Sequence, residues 1–269
     1  MKLSCFVKEI LLKGDISNKL ICPETICFDE FRAFVLDKPI RNNHLAFSEK
    51  QVRFPKGHFH KKEKTAMALN AFANHELLAV EIMAYALMIF PHNTDESIKF
   101  KRGILKSLKD EQKHFQLYAN RMSELGFEFG DFPLNDFFWR HMSPMKTEAE
   151  YLSMMALTFE AANLDFSFHY EKIFRDLGDI KTADILREVY LDEISHVSFG
   201  VHYLNLWRKD KTLWDYYSEV LPFPLTPARS KGKKLIKESR IKAKMDEEFI
   251  ENLLAYKNDF NVLERKEWK

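Results

Sequence analysis

Two short strings in this chain have the residue types and spacing to bind a metal. Asp192-Glu193-Ile194-Ser195-His196 and Asp110-Glu111-Gln112-Lys113-His114 each place a glutamate three residues ahead of a histidine. A helix advances about 100° per residue, so residues three apart project from one face. One carboxylate and one imidazole a turn apart are half of what two helices need to hold a metal. A lone Glu-x-x-His occurs in many helices for no chemical reason. Here it occurs twice, each time behind a matching glutamate: Glu76 lies 35 residues before Glu111, and Glu160 lies 33 before Glu193.

The two leading segments also agree with each other. Five residues after each leading glutamate stands a second acid, Glu81 or Asp165, and fourteen after it a Phe preceded by Ile. The pattern is an internal repeat of helix, connection and helix. It predicts an all-α protein built on a ferritin-like four-helix bundle, with four carboxylates and two imidazoles converging on two metal ions. The expected ligands are Glu76, Glu111, His114, Glu160, Glu193 and His196. Glu81 and Asp165 point about 140° away from the leading glutamates, as partners behind the ligands or between helices. Asp110 and Asp192 are placed to accept the second ring N–H of a ligand His and fix its tautomer. Glu and His with no Cys near suit iron or manganese better than zinc, so the expected cofactor is two Fe ions, with Fe/Mn as the variant.

Around this repeat the chain divides into an N-terminal arm (1–62), the bundle (63–210) and a C-terminal helical extension packed on it (211–269). The bundle helices are expected near 63–90, 95–125, 147–177 and 181–208, bounded by Pro91, Gly126, Pro144 and Gly178, with a charged final helix over 231–256. His58 and His60 lie in a basic stretch that suits a solvated loop. Tyr118 and Tyr203, one and two turns beyond the ligand histidines, suit core packing more than proton donation. His75, His92, His141, His169 and His202 fit no ligand spacing.

Composition narrows the classes. The chain has 269 residues, is 46% apolar and has eight Gly, few for a nucleotide-binding α/β fold. No G-x-G-x-x-G and no P-loop string occurs. A net charge of +1 gives no global case for nucleic acid. Three cysteines without C-x-x-C indicate neither a disulfide framework nor a zinc site, and point to a reducing cytoplasm. The longest apolar run, near Leu77–Phe90, carries Glu81 and suits a buried helix rather than a membrane span.

The strings HELLAVE, DEQKHF, FEAANLD and DEISHVSFG, with a fainter echo in PFPLTPARSKGKK, resemble the ferritin-like family catalogued as domain of unknown function 455. More distantly they are similar to di-iron hydroxylases that modify tRNA and to bacterial monooxygenases with Asp-Glu-x-x-His. The resemblance covers roughly residues 60–210 and implies the same six ligands. In one departure, the family favours His two positions before the first Glu, where this chain has Asn74.

The expected function is a non-haem di-iron oxidoreductase that uses dioxygen to hydroxylate, desaturate or N-oxygenate a small organic substrate. It needs an external electron donor and leaves room for a homodimer. The alternative is a ferroxidase or iron-binding protein without organic substrate. A third reading takes the basic run Arg229, Lys231, Lys233, Lys234, Lys237, Arg240, Lys242 and Lys244 as a surface for RNA or an acidic carrier.

Overall fold

The apolar periodicity and the Pro and Gly breaks fold into helices. Among the described residues of the computed structural model, 1–49 and 53–257, there is no strand, and isolated bridges pair Lys2 with Cys27 and Phe47 with Leu134. The chain divides after Ser143 into two compact units. Residues 258–269, the end of the expected extension, lie outside the described part.

The first unit holds α1 (Leu3–Leu12), α2 (Ile16–Lys19), α3 (Lys62–Ile89), α4 (Asp95–Glu124) and α5 (Phe137–Met142). A short connection folds α3 and α4 into a hairpin packed along its length. Pro91 follows α3. Thr94 opens α4 with a reciprocal cap, its Oγ1 accepting from the Ser97 amide at 3.1 Å while Ser97 Oγ accepts from the Thr94 amide at 3.0 Å. The helix closes at Gly126, whose φ of +90° lets Phe127 N–H turn back to Met122 O at 3.0 Å. α3 is long and apolar enough to cross a membrane, and 78% of its apolar window is buried inside the protein.

The N-terminal arm is anchored to this hairpin. α1 buries Leu3, Phe6, Val7, Ile10 and Leu11 and packs on α3. Lys19 is fully buried: its ammonium donates to the carbonyls of Ile10 and Ile40, and lies 3.1 Å from Glu81. Desolvation pulls the Lys19 pKa down, against the pull of the Glu81 carboxylate. The connector after α4 returns onto α3, where Asn70 donates to Phe132 O (3.2 Å) and Asn74 to Asn135 O (2.9 Å).

The second unit holds α6 (Glu148–Met154), a π-helical turn (Met155–Glu160), α7 (Ala161–Asp176), α8 (Ile180–Trp207), α9 (Leu213–Val220), α10 (Lys237–Lys242) and α11 (Glu247–Ala255). The repeat predicts one regular helix over 147–177, and the structure interrupts it with the wider turn. There the hydroxyl of Thr158 donates to Ser153 O at 2.7 Å, five residues back, and the Ala161 amide reaches Ala156 O. α8 closes tightly on this turn. A Cβ on Gly200 would sit 2.3 Å from Ala156 Cβ and 2.8 Å from Leu157 Cδ1, so the crossing requires glycine. The second hairpin, α7 with α8, is joined through Gly178 (φ +79°) and Asp179, which caps α8 by accepting from Thr182 N–H at 3.1 Å.

The final charged helix expected over 231–256 is two short helices. Lys244 turns the chain with φ +66°, and Asp246 starts α11 by accepting from Phe249 N–H at 2.7 Å. Two members of the basic run are interior supports. Lys231 donates to Leu253 O (2.5 Å) and Tyr256 O (2.7 Å), closing the C-terminal end of α11 where the helix dipole favours a cation. Arg240 is fully buried.

Candidate metal centre

Each hairpin gathers its own predicted triad. In the first unit, one ligand atom from each of Glu76, Glu111 and His114 lies within 4.8 Å of the others, and all three side chains are buried. In the second unit Glu160, Glu193 and His196 do the same. The Glu-x-x-His geometry is reproduced: His114 Nδ1 lies 3.4 Å from Glu111 Oε2, and His196 Nδ1 lies 3.4 Å from Glu193 Oε2. Glu160 Oε1 is 3.9 Å from His196 Nδ1.

Those separations have a chemical meaning. Two N/O ligands each about 2.1 Å from a shared ion are about 3.0 Å apart at a right angle and about 4.2 Å apart when opposite. The three separations fall inside that window. Each triad also holds two buried carboxylates and one imidazole. Buried carboxylates are costly without compensation, and two of them match the charge of one divalent cation. The donor set, oxygen-rich with one nitrogen and no sulfur, is one that divalent cations accept. The residues present therefore fit a metal ion in each triad.

The acids five residues on have other partners. Glu81 accepts a bidentate pair from Arg41, Nε to Oε1 at 3.1 Å and Nη2 to Oε2 at 2.8 Å, beside Lys19. The third donor of the Arg41 fork, Nη1, reaches Asn74 Oδ1 at 2.9 Å, so Asn74 works as a bracket for the arm. Asp165 accepts a bidentate pair from Arg240 at 2.7 and 2.8 Å, and also the Gly232 and Ile236 amides at 2.9 and 2.8 Å. Both acids thus bind a terminal segment to a hairpin. Asp110 and Asp192 are half-buried on the ligand helices.

Other residues singled out by type resolve into packing. His75 stacks on Phe138 at 4.8 Å between ring centres, and burial pushes its pKa down to about 4, which keeps it neutral. Tyr118 packs against Phe72 (5.5 Å), and Tyr203 against Phe199 and Trp207 (5.0 and 5.3 Å). His58 and His60 are exposed, edge to face at 5.8 Å.

Spacing alone did not single out Asn163. Its side-chain amide donates to Glu193 Oε1 at 2.7 Å. The available signal was its position one turn after Glu160, on the same helical face. Gly200, on the same helix as Glu193 and His196, sets the approach of α8 to the π turn.

Among known proteins, the chain is similar to an uncharacterised protein of Haemophilus influenzae, 27% identical over 196 residues that make up 71% of this chain. The matched region spans 65% of that relative's length. No solved structure matches. A family model described as Protein of unknown function (DUF455) matches residues 13–251, a span that contains both triads, and the chain belongs to that family.

Proposed function

We propose that the two triads act together, in a ferritin-like four-helix arrangement, as the ligands of a non-haem di-iron centre in an oxidoreductase that uses dioxygen. The observation that carries this reading is the duplication: two buried triads of one composition, each with its imidazole Nδ1 3.4 Å from the carboxylate one turn earlier on its own helix. Four carboxylates balance two ferrous ions, leaving a neutral centre in a buried setting. When bound, such a pair of ions supplies the electrons that reduce dioxygen for oxidation of a small organic substrate.

The chain's own residues do the positioning. Glu76, Glu111 and His114 would hold metal from the first hairpin, and Glu160, Glu193 and His196 from the second. Each histidine Nδ1, 3.4 Å from the carboxylate one turn earlier, would face the metal, leaving the opposite N–H of the ring for an acceptor, the role assigned to Asp110 and Asp192. The arm and the extension, fixed by Arg41 and Arg240, favour a covered substrate site over a bare iron store. A cytoplasmic protein using a soluble electron donor fits the exposed, unpaired-with-disulfide cysteines Cys5, Cys22 and Cys27.

The test is to load the protein anaerobically with ferrous iron, admit oxygen, and follow near-ultraviolet absorption and oxygen uptake through repeated additions of a chemical reductant. Renewed uptake at each addition, abolished in Glu160→Ala and His196→Ala, supports catalytic turnover. One round of oxidation that no reductant renews favours iron handling without organic substrate. No bound iron sinks both.

A further inference from the structure

Glu160 is the last residue of the π turn, and the backbone on either side of it is held by the segment that follows α8. Two residues before it, Thr158 Oγ1 donates to Ser153 O at 2.7 Å. A hydroxyl has one proton, so toward Tyr217 at 2.9 Å and Ser230 at 3.4 Å Thr158 can only accept. Tyr217 and Ser230 also bond each other, at 2.5 Å. One residue after Glu160, Ala161 O accepts from Arg240 Nη2 at 3.1 Å, and the same nitrogen donates to Ser230 O at 2.9 Å. Ser230 thus stands at both ends of the bracket, its hydroxyl on one side and its carbonyl on the other. Ser153, Thr158, Tyr217, Ser230 and Arg240 are all fully buried.

A π turn closes on i→i+5 bonds where an α-helix uses i→i+4. Relaxing it to α geometry would change the angle at which Glu160 leaves the helix, relative to Glu193 and His196 on α8. The side chains that brace the wide turn come from α9, α10 and the short turn Pro227–Ser230, far along the chain from the ligand they would aim.

We propose that Tyr217 and Ser230 are positioning residues for the second triad. They hold the π turn that aims Glu160, so seating of the segment 213–240 and metal binding at Glu160, Glu193 and His196 favour each other. This rests on the two-metal reading above. Such coupling is reciprocal: whatever factor the seated segment adds to metal affinity, metal adds to the seating.

Hydrogen exchange of the intact protein, with and without anaerobic cobalt(II), tests one direction. Cobalt should slow the amides of 213–230 about 5-fold more than those of α11, whereas a purely global stabilisation slows both alike. This reading needs no variant to fold. Cobalt titration followed by visible absorption tests the other direction. Tyr217→Phe keeps the ring, removes the hydroxyl and should weaken binding about 5-fold or more, and Ser230→Ala should act in the same direction. In a His196→Ala background, Tyr217→Phe should leave the remaining affinity unchanged, which a general loss of fold would not reproduce. Thermal unfolding of each metal-free variant accompanies the titrations. Exchange across 213–230 that cobalt slows no more than that of α11, or an affinity that Tyr217→Phe leaves unchanged, overturns the inference. Two bound equivalents of cobalt would then leave the two-metal reading intact. Absence of cobalt from the intact protein overturns both.

Discussion

In the first hairpin, the acid five residues after the leading glutamate is held by two side chains of the preceding arm, Lys19 and Arg41. In the second, the equivalent acid is held by one side chain of the following extension, Arg240, and by two backbone amides. Each solution follows from side-chain length. Glu81 reaches out to two cations. Asp165 is shorter by one methylene, and backbone comes to it at Gly232, where a Cβ would lie only 2.9 Å from Asp165 Cβ. The shared feature is a buried arginine fork that neutralises the acid a terminal segment must cross. The carboxylates of the two triads are grouped with histidines instead.

The hairpins also differ in how closely their helices meet. Seven residues after the Glu-x-x-His glutamate, α8 has Gly200 and α4 has Tyr118. Glycine lets α8 press on the π turn, whereas the Tyr118 ring fills the equivalent space against Phe72. The second hairpin also carries the π turn. Its π turn is tied to the extension through buried hydroxyls, Thr158 Oγ1 to Tyr217 at 2.9 Å and Tyr217 to Ser230 at 2.5 Å. Burial pushes the Tyr217 phenol up to about 12, so that chain stays protonated at any ordinary pH.

The largest effect expected from this contrast is in Arg240→Ala. It leaves Asp165 buried without its fork, and breaking such a pair costs about 3–5 kcal/mol. Urea unfolding should show it, with Arg240→Lys recovering only part because an ammonium cannot make the paired contact. Arg41→Ala should cost less, about 2 kcal/mol, since Lys19 remains beside Glu81. Equal costs for the two arginines would refute the difference drawn here. Gly200→Ala should cost about 1–2 kcal/mol by overpacking, although alanine is the better helix former by about 1 kcal/mol. It should also weaken metal binding at the second triad alone. Tyr217→Phe, which removes one hydroxyl and keeps the ring, should lower stability by about 1 kcal/mol.

Much of this was legible in the sequence because it is periodic. The Glu-x-x-His spacing is a local property of a helix, so the residues of each triad followed from arithmetic, as did helix ends at Pro91, Gly126 and Gly178. The arginine forks were not legible. Arg41 meets Glu81 across 40 residues and Arg240 meets Asp165 across 75, and no local pattern encodes such a meeting. The π turn was hidden for a related reason. It depends on Gly200 approaching from another helix and on Thr158 satisfying the Ser153 carbonyl. The expected helix over 231–256 failed because Asp246 is a better cap than a helix interior residue.

The most direct test of the central claim is iron content per chain after anaerobic ferrous loading and desalting, measured for the intact protein, for Glu111→Ala with His114→Ala, and for Glu193→Ala with His196→Ala. Two irons in the intact chain, and fewer in each double variant with the fold retained, are the result predicted here. An intact chain that retains no iron, or double variants that load as fully as the intact chain, would contradict the claim that the two triads are the ligands of a metal pair.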